Sequence, residues 1–204
     1  MGNNLPTDVY QTLDQLNKIF QQMLLDMLGY VKTGSPADYD PTAFYFVRVS
    51  WPTEGAPAWK ITEDIVFIRV VEEDHAINRE REVENTRVDD LLLNEKTSYT
   101  RVVSLAMVFY GPNSFEHAQT VRDGVFDDRY RLPLAKEKIF PIPDIVAPRR
   151  IPEAFQAQYW ERVDLELRFN EKISKNRDIS TIGSAEIVVY DHSGEIADIT
   201  VTEN

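Results

Sequence analysis

Arg101 to Asn113 reads RVVSLAMVFYGPN, a nearly unbroken apolar run from Val102 to Tyr110 stopped by Gly111-Pro112. So many β-branched and aromatic residues in succession suit a strand with little exposed surface, and Tyr99–Tyr110 is expected at the centre of a sheet. Asn113 then offers an N-cap with Glu116 three residues on, a pairing of capping-box type. From it a central helix is expected over 113–131, with Phe115, Ala118, Val121, Val125 and Phe126 as its buried stripe. A passage carrying Pro141, Pro143, Pro148 and Pro152 follows. It is extended but barred from regular central pairing, because proline has no N–H to give a ladder. From Trp160 to Phe169 the chain alternates: Val163, Leu165, Leu167 and Phe169 inward, Arg162, Asp164, Glu166 and Arg168 outward. Period-two alternation reads as a half-buried antiparallel strand.

Upstream, Val9, Leu13, Leu16, Phe20, Met23, Leu24, Met27 and Leu28 recur at gaps that make one stripe on an N-terminal helix, 7–30. Thr7 is the expected cap, Asp8 suits the positive end of the dipole, and Gly29 is the expected stop. Strands are expected near Ala43–Trp51 and at Ile65–Val71, the latter buried on both faces. Residues 72–98 differ in kind. They hold Glu72, Glu73, Asp74, Glu80, Glu82, Glu84, Asp89, Asp90 and Glu95 against Arg79, Arg81, Arg87 and Lys96, with one strongly apolar patch at Leu91-Leu92-Leu93. They read as a projecting arm or extended hairpin whose leucines meet a partner, or equally as a mobile charged loop. Two last strands, near Ala185–Tyr190 and Ile196–Val201, flank the turn at Asp191–Gly194. The expected fold is a single α+β domain spanning 1–204: a mixed, largely antiparallel sheet flanked by the N-terminal and central helices, with the long arm added.

With 204 residues the chain can bury one good core and is too short for two domains to be the default. Its 34 acids against 22 bases leave a formal charge of −12, which argues against a grip on phosphate backbones. No run of basic residues exceeds Arg149-Arg150. Cysteine is absent, which removes disulfides, thiolate nucleophiles and cysteine-ligated metals. The start lacks the features of a signal peptide, and no apolar run approaches the ~18 residues that span a bilayer. A protein made in the cytoplasm, with no membrane partner, is expected.

Reactive constellations are not evident. His75, His117 and His192 are scattered, and none belongs to a ligand-spaced motif. Glu72-Glu73-Asp74 lacks the alternating ligands and turning glycine of a calcium loop. Ser98, Ser104, Ser114 and Ser184 lie outside any nucleophile-elbow frame, and the eight glycines make no phosphate-binding loop. Catalytic, cofactor-binding and metal-binding residues are therefore all expected to be none. Trp51, Trp59 and Trp160 lie near polar or proline-rich passages, where indoles serve interfaces as well as cores.

Three motifs carry a resemblance: Asp74-His75-Ala76-Ile77-Asn78-Arg79, Tyr110-Gly111-Pro112-Asn113 with the helix that follows, and Trp160-Glu161-Arg162-Val163-Asp164-Leu165. With them the chain resembles the neck and tail-terminator proteins of tailed bacteriophages over most of its length, best from Ile65 to Tyr190. The resemblance implies a non-enzymatic virion protein at the head–tail junction. It implies a ring, most often a hexamer, that caps the tail tube and docks to the head connector while genomic DNA passes through unbound. Tail tube, sheath or tail proteins and head connector proteins are the implied partners, with assembly in the host cytoplasm. Expected interface residues are Asn78, Arg79, Arg81, Leu91, Leu92, Leu93, Trp160, Arg162 and Asp164. The alternatives are another virion part, such as a head-completion or baseplate protein, or a small metal-dependent hydrolase or binding domain.

Overall fold

In the computed structural model, residues 10–30, 46–50, 59–89, 92–155, 157–180, 184–191 and 194–202 are described. They form an α+β protein with a mixed sheet. The first helix, α1 (Leu13–Met27), is shorter than its apolar stripe implied. Thr12 caps it in place of Thr7, accepting from the Gln15 backbone while the Gln15 side chain accepts from the Thr12 backbone, a reciprocal capping box. Val9, Thr7 and Asp8 lie outside the described residues. Gly29 does end the helix, at a φ of 77° that a side chain resists.

Strands β1 (Val47–Val49), β2 (Ile65–Glu72), β4 (Leu92–Tyr110), β9 (Arg162–Ser180) and β5 (Ile139–Pro141) lie side by side in that order. The run around Val102–Tyr110 is thus central, as its apolar content required. β1 runs parallel to β2, while β2 and β5 are antiparallel to β4 and β9 respectively. Side-chain pairs Ser104–Glu166, Arg101–Glu171, Ser98–Ser174 and Asn94–Asp178 fall along β4 as they rise along β9, so these two also run antiparallel. The proline passage behaves as its chemistry dictates. It supplies only short edge pairings to β9, through β5 and through β6 (Arg149–Arg150). Strands β7 (Glu153–Phe155) and β8 (Gln158–Trp160) make a separate small hairpin.

The charged stretch after β2 is not one loop. A 3₁₀ turn, Ala76–Arg79, leads to β3 (Glu82–Asp89), which pairs antiparallel with the start of β4. Strands β10 (Ser184–Asp191) and β11 (Gly194–Thr202) pair with each other; His192 and Ser193 of the intervening turn lie outside the described residues. The chain divides into two compact units. The larger is made of 10–80 and 100–173, the smaller of 81–99 and 174–204.

The core of the larger unit follows from alternation. Val103, Leu105, Met107 and Phe109 of β4, with Val163, Leu165, Leu167 and Phe169 of β9, point to one side and are all buried. Leu16, Phe20, Leu24 and Met27 of α1 cover them, and Phe20 meets Phe169 with ring centroids 4.7 Å apart. Leu13, expected in the stripe, is exposed, because the stripe is wider than the contact. Ile65 is buried as anticipated, but Arg69 and Val71 are exposed, so β2 is not buried on both faces along its length.

The expected central helix breaks into two, α2 (Ser114–Gly124) and α3 (Asp128–Lys136). Asp127 caps the second by accepting from the Arg129 backbone, and that new start interrupts the first. Ala118, Val121 and Val125 are buried as read, whereas Phe115 and Phe126 are exposed. At the far end of the buried face, Glu171 is fully buried and takes Arg101 as its counter-ion. Desolvation works to lower the Arg101 pKa, yet the hydrogen bond and charge of Glu171 hold it above its ordinary value. The Gln11 backbone N–H donates to the same carboxylate and its carbonyl accepts from Arg101, which fastens the start of α1 to the sheet.

Leu165, 3% exposed in the middle of that buried row, gives a direct test of face assignment. Leu165→Asp places an unpaired charge in the core at a cost of about 3 kcal/mol or more, which lowers Tm by roughly 10 °C or abolishes folding. Thermal unfolding followed by circular dichroism reads this out; a native melting curve refutes the assignment.

Candidate functional site

Helices cover one side of the sheet; the residues that alternate with the core form the other. Arg48 of β1 stands opposite Phe67, Phe67 opposite Val108, and Arg69 opposite Ala106. Arg162, Asp164, Glu166 and Arg168 of β9 continue this face. Its polar groups are largely satisfied by one another. Arg168 pairs with Glu73, which follows directly on β2, and Ser104 donates to Glu166. A concave site of about 450 Å³ opens over the middle of the face, between Ser50, Arg69, Val108, Val146, Arg149 and Asp164.

One end of the face is aromatic. Trp59 packs on Phe67, Tyr110 and Trp160 with centroid separations of 5.1, 5.7 and 5.8 Å, and the Arg48 guanidinium lies 5.8 Å from the Trp59 ring. The Tyr110 hydroxyl donates to Glu153 at 2.8 Å. Arg162 reaches the same carboxylate at 3.2 Å and grips Asp164 with a fork of 2.8 and 2.9 Å. Two residues apart on one strand put Arg162 and Asp164 on the same face, which is what the fork requires. That hydrogen bond to Asp164, opposed by desolvation, keeps the Arg162 guanidinium above its usual pKa. Burial, followed by the bond to Glu153, pushes the Tyr110 phenol up to about 12.

The corner after β4 explains the Gly-Pro-Asn that ends it. Gly111 has a φ of 106°, and a Cβ there would come within 2.5 Å of Asp64 Oδ1 and 2.6 Å of the Glu63 carbonyl. Asn113 was expected to cap α2 and does not; its side chain makes no cap hydrogen bond. Instead its backbone N–H and side-chain amide both donate to the Asp64 carboxylate, at 2.9 and 2.8 Å. The start of β2, the end of β4 and the start of α2 are thereby held at one point.

The remaining expected interface residues, and His75 of the same motif, fall as follows. Asn78 accepts from the Val102 N–H and donates to the Glu73 carbonyl, continuing the ladder where β2 ends. His75 caps the 3₁₀ turn through Nδ1. Arg79 pairs with Asp74 in an exposed bridge. Arg81 lies 3.8 Å over the Tyr99 ring. Leu92 and Leu93 are half-buried at the start of β4, and Leu91 lies outside the described residues, as does Trp51. Trp160, Arg162 and Asp164 come together with Tyr110, whereas Arg81, Leu92 and Leu93 belong to the smaller unit. Sequence reading missed Asp64, Glu153, Arg101 and Glu171. The only hint was a glycine and an asparagine after a strand, residues that want a close neighbour without saying which. Among the described residues no group of three or more His, Asp or Glu side chains is placed to hold a metal, and no helix is long and apolar enough to cross a membrane.

In this α+β protein the Tyr110 and Trp160 motifs meet at one end of the polar sheet face, and the Asp74–Arg79 motif lies at the other end of β2. The family model of the phage neck terminator protein matches residues 14–194, nearly the whole chain, and the chain belongs to that family. It is thus a structural phage neck protein and a component of the virion. No curated protein matches the chain.

Two outcomes test this corner. Gly111→Ala meets backbone as well as side chain and a positive φ, so loss of folded protein is expected; a variant that melts like the parent refutes the close approach. Tyr110→Phe removes one hydrogen bond and lowers stability by about 1 kcal/mol at neutral pH. The folded phenol titrates at about 12 against an ordinary value of 10.0, so its contribution is intact below pH 10 and lost as pH climbs from there through 12. The parent's stability must therefore fall more steeply than the variant's across that window, measured by urea unfolding; parallel curves refute the assignment.

Proposed function

We propose that this neck protein works as a ring of identical subunits that ends the tail tube and docks the tail to the head connector. Tail tube and sheath or tail proteins on one side, and head connector proteins on the other, are its partners, and a hexamer is the ring order proposed. The observation that carries the reading is the match to the neck terminator family over nearly the whole chain. Two physical features support it. A ring built from one chain needs two dissimilar surfaces per subunit, and the polar sheet face, with Arg69, Arg149 and Arg162, differs in composition from the exposed strand β3, with Glu82 and Glu84. The charge of −12 lets DNA slide past without adhesion, since no basic run longer than Arg149-Arg150 is there to neutralise phosphates.

Assembly in the host cytoplasm and a non-catalytic role belong to the same proposal; the motif residues Tyr110, Trp160, Arg162 and Asp164 are engaged in one structural cluster. In place of the single pooled list of interface residues, the reading assigns two surfaces: the open sheet face, and the stretch Arg81 to Leu93.

Localisation by cryo-electron microscopy in intact particles tests the reading: density for a closed collar of this chain between head and tail is expected, and its placement elsewhere refutes it. Removing Glu82 to Asn94 is expected to leave the larger unit folded, with a native-like near-ultraviolet spectrum, and to abolish head–tail joining in a complementation assay. Joining at parental levels would show that the segment makes no partner contact.

A further inference from the structure

We infer that the concave site on the open sheet face is the socket for a second copy of this chain, which inserts the acidic edge of β3. The inference rests on the ring reading and gives it a defined contact. Among the described residues the socket holds Arg69, Arg149 and Arg162 against Asp164 and Glu166, a surplus of one base on a protein whose formal charge is −12. Asp164 is already taken by Arg162. Arg149 stands opposite Asp164 across β6 and β9, yet carries no ion pair among the described residues. An exposed guanidinium on the rim of an apolar-floored hollow, with Ala106, Val108 and Val146 around it, fits a carboxylate on an extended segment.

That segment is on the same chain. Residues 81–88 are exposed throughout, and among the described residues β3 pairs on one side only, with β4. Glu80, Glu82, Glu84 and Asp89 against Arg81 and Arg87 leave it acidic. Glu82 has no partner among the described residues, and Glu84 has only an exposed bridge to Lys96 at 3.4 Å. Alternation puts Glu82 and Glu84 on one face about 7 Å apart, a spacing that places one at the rim Arg149 and the other further in. A hollow of about 450 Å³ admits a few side chains and not a whole hairpin, so the strand edge is the inserting element. Socket and insert are different surfaces, so the contact is head-to-tail, the type that closes into a ring. Charge pairing of this kind sets register and partner choice more than raw affinity.

The absence of cysteine makes the test clean, because an introduced thiol is unique. Full-length Glu82→Cys and Arg149→Cys proteins are mixed, oxidised mildly and mapped by peptide mass spectrometry, both concentrated in solution and in necks isolated from particles assembled with both. A link between positions 82 and 149 is expected to exceed either self-link by about tenfold. Self-links in equal or greater yield, or no link in either preparation, overturn the inference. In parallel, Arg149→Glu is expected to weaken self-association about tenfold and to be restored by a Glu82→Lys partner copy, with both melting curves unchanged because both positions are exposed. Loss without restoration overturns it as well. Normal necks with no 82–149 link sink this contact alone and leave the ring standing; necks that lack the chain sink the ring reading, and this contact with it.

Discussion

A sheet with one buried face holds the larger unit together. Val103, Leu105, Met107 and Phe109 on β4 and Val163, Leu165, Leu167 and Phe169 on β9 send their side chains the same way, and α1 lies over them. Burial of this many apolar side chains, at about 2 kcal/mol each, is the main favourable term available to a chain without disulfides. Strand periodicity then dictates the rest. Every residue between two core positions must face the other side, so the same alternation that builds the core also writes the composition of the open face.

That face is polar but not simply solvated. Arg162 with Asp164 and Glu153, Arg168 with Glu73, and Ser104 with Glu166 tie neighbouring strands together across it. Partly exposed pairs of this sort contribute little stability singly. They do hold long side chains in defined positions. The aromatic end, with Trp59, Tyr110 and Trp160, adds the rigid rings that interfaces favour.

The three motifs singled out in the sequence all have structural explanations. Gly111 is required because Asp64 and Glu63 lie where a side chain would be. Asn113 reaches Asp64, Asn78 completes the hydrogen-bond ladder at Val102, and the Arg162–Asp164 fork meets Tyr110 through Glu153. These residues thus serve the packing and hydrogen bonding of the sheet itself.

Much was readable from the chain alone, for local reasons. Alternation in Val163–Phe169, the apolar run to Tyr110, the stripe on α1, the stop at Gly29 and the demotion of the proline passage to short edge strands all follow from residue types within a few positions. Other features depended on partners distant in sequence. Asn113 looked like a cap until Asp64, far up the chain, proved the better acceptor for its donors. One helix was expected where Asp127 starts a second, and Thr12 took the place of Thr7, because capping strength is decided by which backbone groups the fold leaves unpaired. The buried Arg101–Glu171 pair and the hollow beneath Val146 have no local signature at all. They exist because the antiparallel pairing of β4 with β9 brings positions some seventy residues apart to one point, and pattern within a single segment carries no information about that distance.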